Sequence, residues 1–177
     1  MIEFNYEVDF TIEEEQKTIN WIQQSIIKEG FELGEINYIF CNDNYLHKIN
    51  VEFLQHDTLT DIISFDYTLG KEVSGDIFIS IERVEDNAKD FKVSFKQELH
   101  RVLIHGVLHY MGYKDKTDEE KLEMRDKENE YLKTLRKHSF YLKFSPINKT
   151  HGTAVSLNSI IKDLLPKIQY SYKNFLK

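Results

Sequence analysis

The sequence has one cysteine, two prolines and no long apolar run in its 177 residues. Each scarcity closes a class. A lone Cys41 cannot form an internal disulfide or a thiolate cluster, so any metal here must be held by histidine and carboxylate. Its plain reading is a small apolar residue ending a strand. No window approaches the roughly 18 consecutive apolar residues of a membrane span. The start, Met1-Ile2-Glu3-Phe4-Asn5-Tyr6-Glu7, lacks the basic-then-apolar order of a signal peptide, so the expectation is a cytoplasmic protein without a membrane partner. Both prolines, Pro146 and Pro166, lie in the C-terminal part, which places a boundary near residue 137 between a body of 1–136 and an extension of 137–177. No internal repeat or low-complexity stretch is visible, which excludes a solenoid.

What is present is enough for one folded domain. The chain is 41% hydrophobic, 13% aromatic and 30% charged in both signs, which supplies both a core and a soluble surface. The formal net charge of −7 hides an asymmetry, since residues 137–177 carry seven Lys against one Asp and leave the body at −13. An acidic body repels phosphate at long range. Nucleic acid would therefore have to be met by a local basic patch, a bound cation or the extension.

Alternation over Ile2–Val8 suits a half-buried strand, and Ile19, Ile22, Ile26 and Ile27 give residues 12–29 a helical period. Gly30 and Gly34 punctuate the end of that helix, and Ile36–Phe40 reads as a second strand. Leu46, Ile49, Asn50 and Phe53 predict a short helix over 43–54. Asp61–Tyr67 and Asp76–Ser80 read as two further strands, able to pair, joined by a loop that includes Gly70 and Gly75. Helices are predicted near 81–92, 95–111 and 117–136. The expected fold is α+β, a small mixed sheet of about four strands with about five helices on one side. In the extension, Ile160, Ile161, Leu164, Leu165 and Ile168 form an apolar stripe that Pro166 interrupts.

Chemistry concentrates in His105-Gly106-Val107-Leu108-His109-Tyr110-Met111-Gly112-Tyr113-Lys114-Asp115. On a helix, His105 and His109 stand at i and i+4, on one face, and can share one metal ion. Two histidines on so apolar a helix are ordinarily core residues. Gly112 changes that balance, because it lets the chain leave the helix in a left-handed conformation and return towards the pair, delivering Asp115 as a third ligand. This His-x3-His-x5-ligand spacing is that of the metzincin type, with a fourth position left for water. A metalloprotease of this geometry carries Glu directly after its first His as general base. Gly106 stands there instead, which disfavours peptide hydrolysis.

The segment resembles the YbeY family of bacterial endoribonucleases, whose signature H-G-x-L-H-L-x-G-Y-D-H is matched by H-G-V-L-H-Y-M-G-Y-K-D at 105–115. Upstream, Thr60-Asp61-Ile62-Ile63-Ser64-Phe65 is similar to the family's T-D-V-L-S-F, and Gly75-Asp76-Ile77 to its G-D-I, in the same order across roughly residues 30–135. The resemblance implies a metal site, usually zinc with one ion expected, at the end of a groove. It also implies single-strand endoribonuclease activity in rRNA maturation and ribosome biogenesis, with ribosomal RNA and ribosomal components as partners. Two departures stand out. Asp115 replaces the family's third His, which adds an anionic donor and makes a bound water less acidic. Leu54 follows Phe53 where the family typically has Arg.

The metal ligands expected are therefore His105, His109 and Asp115. Arg101, four residues before His105, is a candidate phosphate contact, and Asp61 and Ser64, placed at the ends of the third strand, are candidates for the substrate groove. Tyr110 and Tyr113 could stack bases. The run from Asp118 through Glu128 is read as a solvated helix face without chemistry. The general base, and whether water or a 2′-hydroxyl attacks, are left open by the residues. A metal-clamped ribosome-assembly factor without catalysis is the alternative function.

Overall fold

In the computed structural model, which describes residues 1–138, the elements run β1 (Ile2–Tyr6), α1 (Glu15–Lys28), β2 (Glu32–Cys41), α2 (Asp43–Ile49), a π turn (Asn50–Leu54), β3 (Ile62–Asp66), β4 (Glu72–Ser80), α3 (Ile81–Asp90), α4 (Phe95–Tyr110) and α5 (Asp118–His138). The sheet order is β1-β2-β4-β3, with β3 at an edge. β2 is parallel to both β1 and β4, and β3 runs antiparallel to β4 with Ser64 opposite Ile77. The expected α+β class, with four strands and five helices, is what the described residues adopt. The apolar stripe expected in the extension lies outside the described residues.

Strand alternation divides the apolar residues between two faces. Ile36, Tyr38, Phe40, Ile77 and Ile79 join one core with Trp21, Ile22 and Ile26 of α1, Leu103, Ile104, Val107 and Leu108 of α4, and Met124 and Tyr131 of α5. Ile39, Cys41, Ile63, Phe65 and Phe78 form a second core with Leu46 and Ile49 of α2. The helices are thus not all on one side, contrary to the expectation from their order. α2 covers the opposite face because the odd and even residues of β2 and β4 are both apolar and both need cover. Cys41 ends β2 fully buried, and burial pushes its thiol up to about 12, which leaves it inert as expected.

Two glycines sit where periodicity did not place them. Gly34 does not end α1; it lies in β2 beside a register shift, where a Cβ would fall 2.1 Å from Ser74 Oγ. Gly75 is not in a loop but inside β4, beneath the ring of Tyr110. The predicted helix over 43–54 is also two elements, since the hydrogen bonding widens into the π turn at Asn50.

α4, the helix that carries the two histidines, begins at Ser94, whose side chain accepts from Gln97 N at 3.2 Å. That cap satisfies one of the orphan N–H groups of the first turn. Ser94→Ala is expected to lower stability by about 1 kcal/mol. Chemical denaturation checks this, with an unchanged midpoint counting against the cap.

Candidate metal centre

Gly106 faces the sheet, where a Cβ would stand 3.0 Å from both Ile62 Cδ1 and Ile77 Cδ1. α4 therefore packs close on β3 and β4 at this point, and a side chain at 106 would require those isoleucines to shift. His105, one residue before Gly106, and His109, three residues after it, remain 21% and 30% exposed.

The helix closes in a Schellman turn. Tyr113 N donates to Leu108 O at 3.1 Å and Gly112 N to His109 O at 3.0 Å, with Gly112 at φ 93°. A side chain there would be strained, so glycine is what lets the chain fold back at this position. The turn does two things for the site. It lays the Tyr113 carbonyl 2.9 Å from His109 Nδ1, and it returns Asp115 so that its Oδ2 lies 3.7 Å from His105 Nε2 and 3.6 Å from His109 Nε2. The two Nε2 atoms are 3.0 Å apart. One donor atom from each of these residues thus lies within 4.8 Å of the others.

This triangle fits a metal ion on two counts. A tetrahedral ion with ligand bonds of roughly 2.0–2.1 Å spaces its donors about 3.3 Å apart, close to the three separations found. The outer nitrogens also settle the tautomers. His105 Nδ1 lies 2.8 Å from Glu128 Oε1 and His109 Nδ1 faces the Tyr113 carbonyl, so each neutral ring carries its proton on Nδ1 and turns its Nε2 lone pair inward. Lone pairs facing each other call for a cation between them. Burial, with His105 beside it, holds the His109 pKa below the usual imidazole value, which keeps that ring in the neutral, ligating form at pH 7.

Glu128 comes from α5, where it shares the buried stripe with Met124, Tyr131 and Leu132 and is 4% exposed. Its Oε2 accepts from Arg101 Nη1 at 2.8 Å and pairs with Arg125 Nη1 at 3.1 Å. Burial works to raise this carboxyl, but the hydrogen bonds from His105 and Arg101 prevail and leave it below the usual carboxylate range. The run from Asp118 to Glu128 is therefore not uniformly a solvated face. The readable signal was a lone carboxylate at an apolar position of the helical period, four residues after Met124 and four before Leu132.

Arg101 is 13% exposed and is spent on Glu128, Asn129 and Glu98, with Glu98 Oε2 at 3.6 Å. That geometry makes it a support of Glu128. Ser64 lies at the middle of β3, not its end, and lines a cleft of ≈ 360 Å³ with Asn50, Leu54, His56 and Thr58. Asp61 precedes β3 and is tied to its neighbours: its carbonyl accepts from Ser80 N at 2.9 Å and its Oδ2 from Asn87 Nδ2 at 3.1 Å. Tyr110 is buried and donates to Phe65 O at 3.0 Å and Asp76 O at 2.9 Å, so it cannot stack a base. Tyr113 donates to Glu29 Oε2 at 2.8 Å.

Fold and site together define an α+β protein with an imidazole–carboxylate cluster, suited to a metal ion, at the end of a helix packed on a mixed sheet. Comparison with known proteins gives the particular family. The profile of Endoribonuclease YbeY matches residues 3–136, and the chain belongs to this family. It is 65% identical over 132 residues to the Endoribonuclease YbeY of Flavobacterium johnsoniae, covering 75% of this chain and 95% of that one. Identity to the Endoribonuclease YbeY of Karelsulcia muelleri is 45% over 137 residues, covering 77% and 97%. The solution structure of TM1509 from Thermotoga maritima is similar at a TM-score of 0.58 and 26% identity, covering 85% of this chain and all of that one. No helix among the described residues is long and apolar enough to cross a membrane.

Proposed function

We propose that this chain is a metal-dependent endoribonuclease that cuts single-stranded RNA during rRNA maturation, in the cytoplasm. Residues 1–136 act as the catalytic domain and residues 137–177 as a basic extension. The observation that carries the reading is the convergence of His105 Nε2, His109 Nε2 and Asp115 Oδ2 in a member of an endoribonuclease family. Zinc is the metal best matched by two imidazoles and a carboxylate, and when bound it supplies a Lewis acid for a phosphoryl oxygen and lowers the pKa of a water. His105 and His109 keep their Nε2 atoms free for the ion by holding their protons on Nδ1. Asp115 offsets part of the charge. The cleft beside edge strand β3, with Ser64 in its wall, offers a groove for the strand, and the cation meets the need for local positive charge on an acidic body.

One observation favours a second reading, a metal-clamped ribosome-assembly factor without catalysis. Leu54 lines that cleft, 44% exposed, where the family resemblance calls for a basic residue. The test is cleavage of ribosomal RNA fragments by the purified chain and by His109→Ala, after chelation and after zinc is restored. The expected result is zinc-dependent cutting by the parent that the folded variant loses. Equal residual cutting by both proteins, with zinc held only by the parent, would establish the assembly-factor reading instead.

A further inference from the structure

We infer that Glu128 is a positioning residue for the metal cluster, fixing the ring orientation and tautomer of His105 from a helix that supplies no ligand. The inference rests on the proposed metal site and adds a residue to it. Its ground is the division of labour between the two carboxylate oxygens. Oε2 is taken by Arg101 and Arg125, which anchor the group from α4 and from one turn earlier on α5. Oε1 lies 2.8 Å from His105 Nδ1. A group that served only to pair a buried arginine would need Oε2 alone.

Burying a carboxylate is costly, and an apolar residue of similar volume at such a position is often no less stable. Glu128 nevertheless stands among Met124, Tyr131 and Leu132 in the core-facing stripe. What an apolar residue could not do is hold the Nδ1 proton of His105 and so turn its Nε2 lone pair to the same point as the Asp115 and His109 ligand atoms. The two rings are unequally supported: His105 by a carboxylate, His109 by the Tyr113 carbonyl. Arg101 acts at one further remove, because its guanidinium fixes the rotation of the Glu128 carboxylate.

The test is zinc affinity of the full chain, measured by competition with a chromophoric chelator, alongside circular dichroism and melting in excess chelator. Glu128→Gln is expected to lower zinc affinity roughly 10–100-fold. Glu130→Gln, on the same helix but 43% exposed and paired with Lys28, is expected to leave it unchanged. Because Glu128→Gln leaves Arg101 with Glu98 as its one charged partner among the described residues, the double variant Glu128→Gln/Arg101→Met supplies a form without that weakened buried cation. Weak zinc binding by that folded double variant supports positioning. Parent-like binding by it overturns the inference and leaves Glu128 a structural residue. A parent that binds no zinc, or a His109→Ala that binds it equally well, removes the metal reading itself and this inference with it.

Discussion

His109→Ala lowers zinc affinity at least about a hundredfold while leaving the fold intact. The magnitude follows from dividing the roughly 10–16 kcal/mol of a four-ligand structural zinc site among its ligands, which gives about 3 kcal/mol or more for each. His109 is the cleaner of the two imidazoles to remove. Its Nδ1 serves only the Tyr113 carbonyl, and with the ring itself 30% exposed, water can take its place there. His105→Ala should match it in zinc affinity but also cost stability, because it deprives the buried Glu128 of a donor. Asp115→Ala should have the smallest effect of the three, since that side chain is 44% exposed. Isothermal titration with zinc, with melting curves of the apo proteins, separates these outcomes. Undiminished one-to-one binding by His109→Ala would place the metal elsewhere.

The same contrast explains what could be read from the sequence. His105, His109, Gly112 and Asp115 lie within eleven consecutive residues, and their arrangement depends on helical period and one left-handed turn, both local properties. The four strands and five helices were legible for the same reason. What sequence could not show depends on which helix packs where. Glu128 approaches His105 across a sequence separation of 23 residues, and nothing in a charged helix announces that this one carboxylate points inward unless its place in the apolar stripe is noticed. Arg101 lies one turn from His105, but of its two carboxylate partners only Glu98 is local to α4, and Glu128 reaches it from α5. The covering of both sheet faces was likewise a tertiary choice. Continuous apolar runs such as Ile77-Phe78-Ile79 signal burial on two sides, a cue that helix order alone overrides wrongly.

Gly75 carries the second large effect, and it links strand β4 to the cluster. A Cβ there would lie 2.4 Å from Phe65 O and 2.5 Å from Tyr110 Cζ, distances that neither a strand backbone nor a buried ring can accept. Tyr110 has nowhere to move. Its hydroxyl is held by the carbonyls of Phe65 and Asp76, and it is itself 4% exposed. Gly75→Ala must either spread β3 from β4 or swing Tyr110 out and leave those carbonyls without its hydroxyl. Overpacking of this kind costs about 1–3 kcal/mol, and the displaced hydroxyl adds about 1–3 kcal/mol more. Gly75→Val is expected to prevent folding. Tyr110→Phe isolates the hydroxyl contribution, since it keeps the ring over the glycine, and is expected to cost the smaller amount alone. Denaturant titration of Gly75→Ala and Tyr110→Phe orders the two. Because Tyr110 is the residue after His109 on α4, a ring forced outward also turns the last helical turn, so Gly75→Ala should weaken zinc binding as well as stability, whereas Tyr110→Phe should weaken stability only. Equal zinc affinity in both variants would show that strand and cluster are mechanically independent.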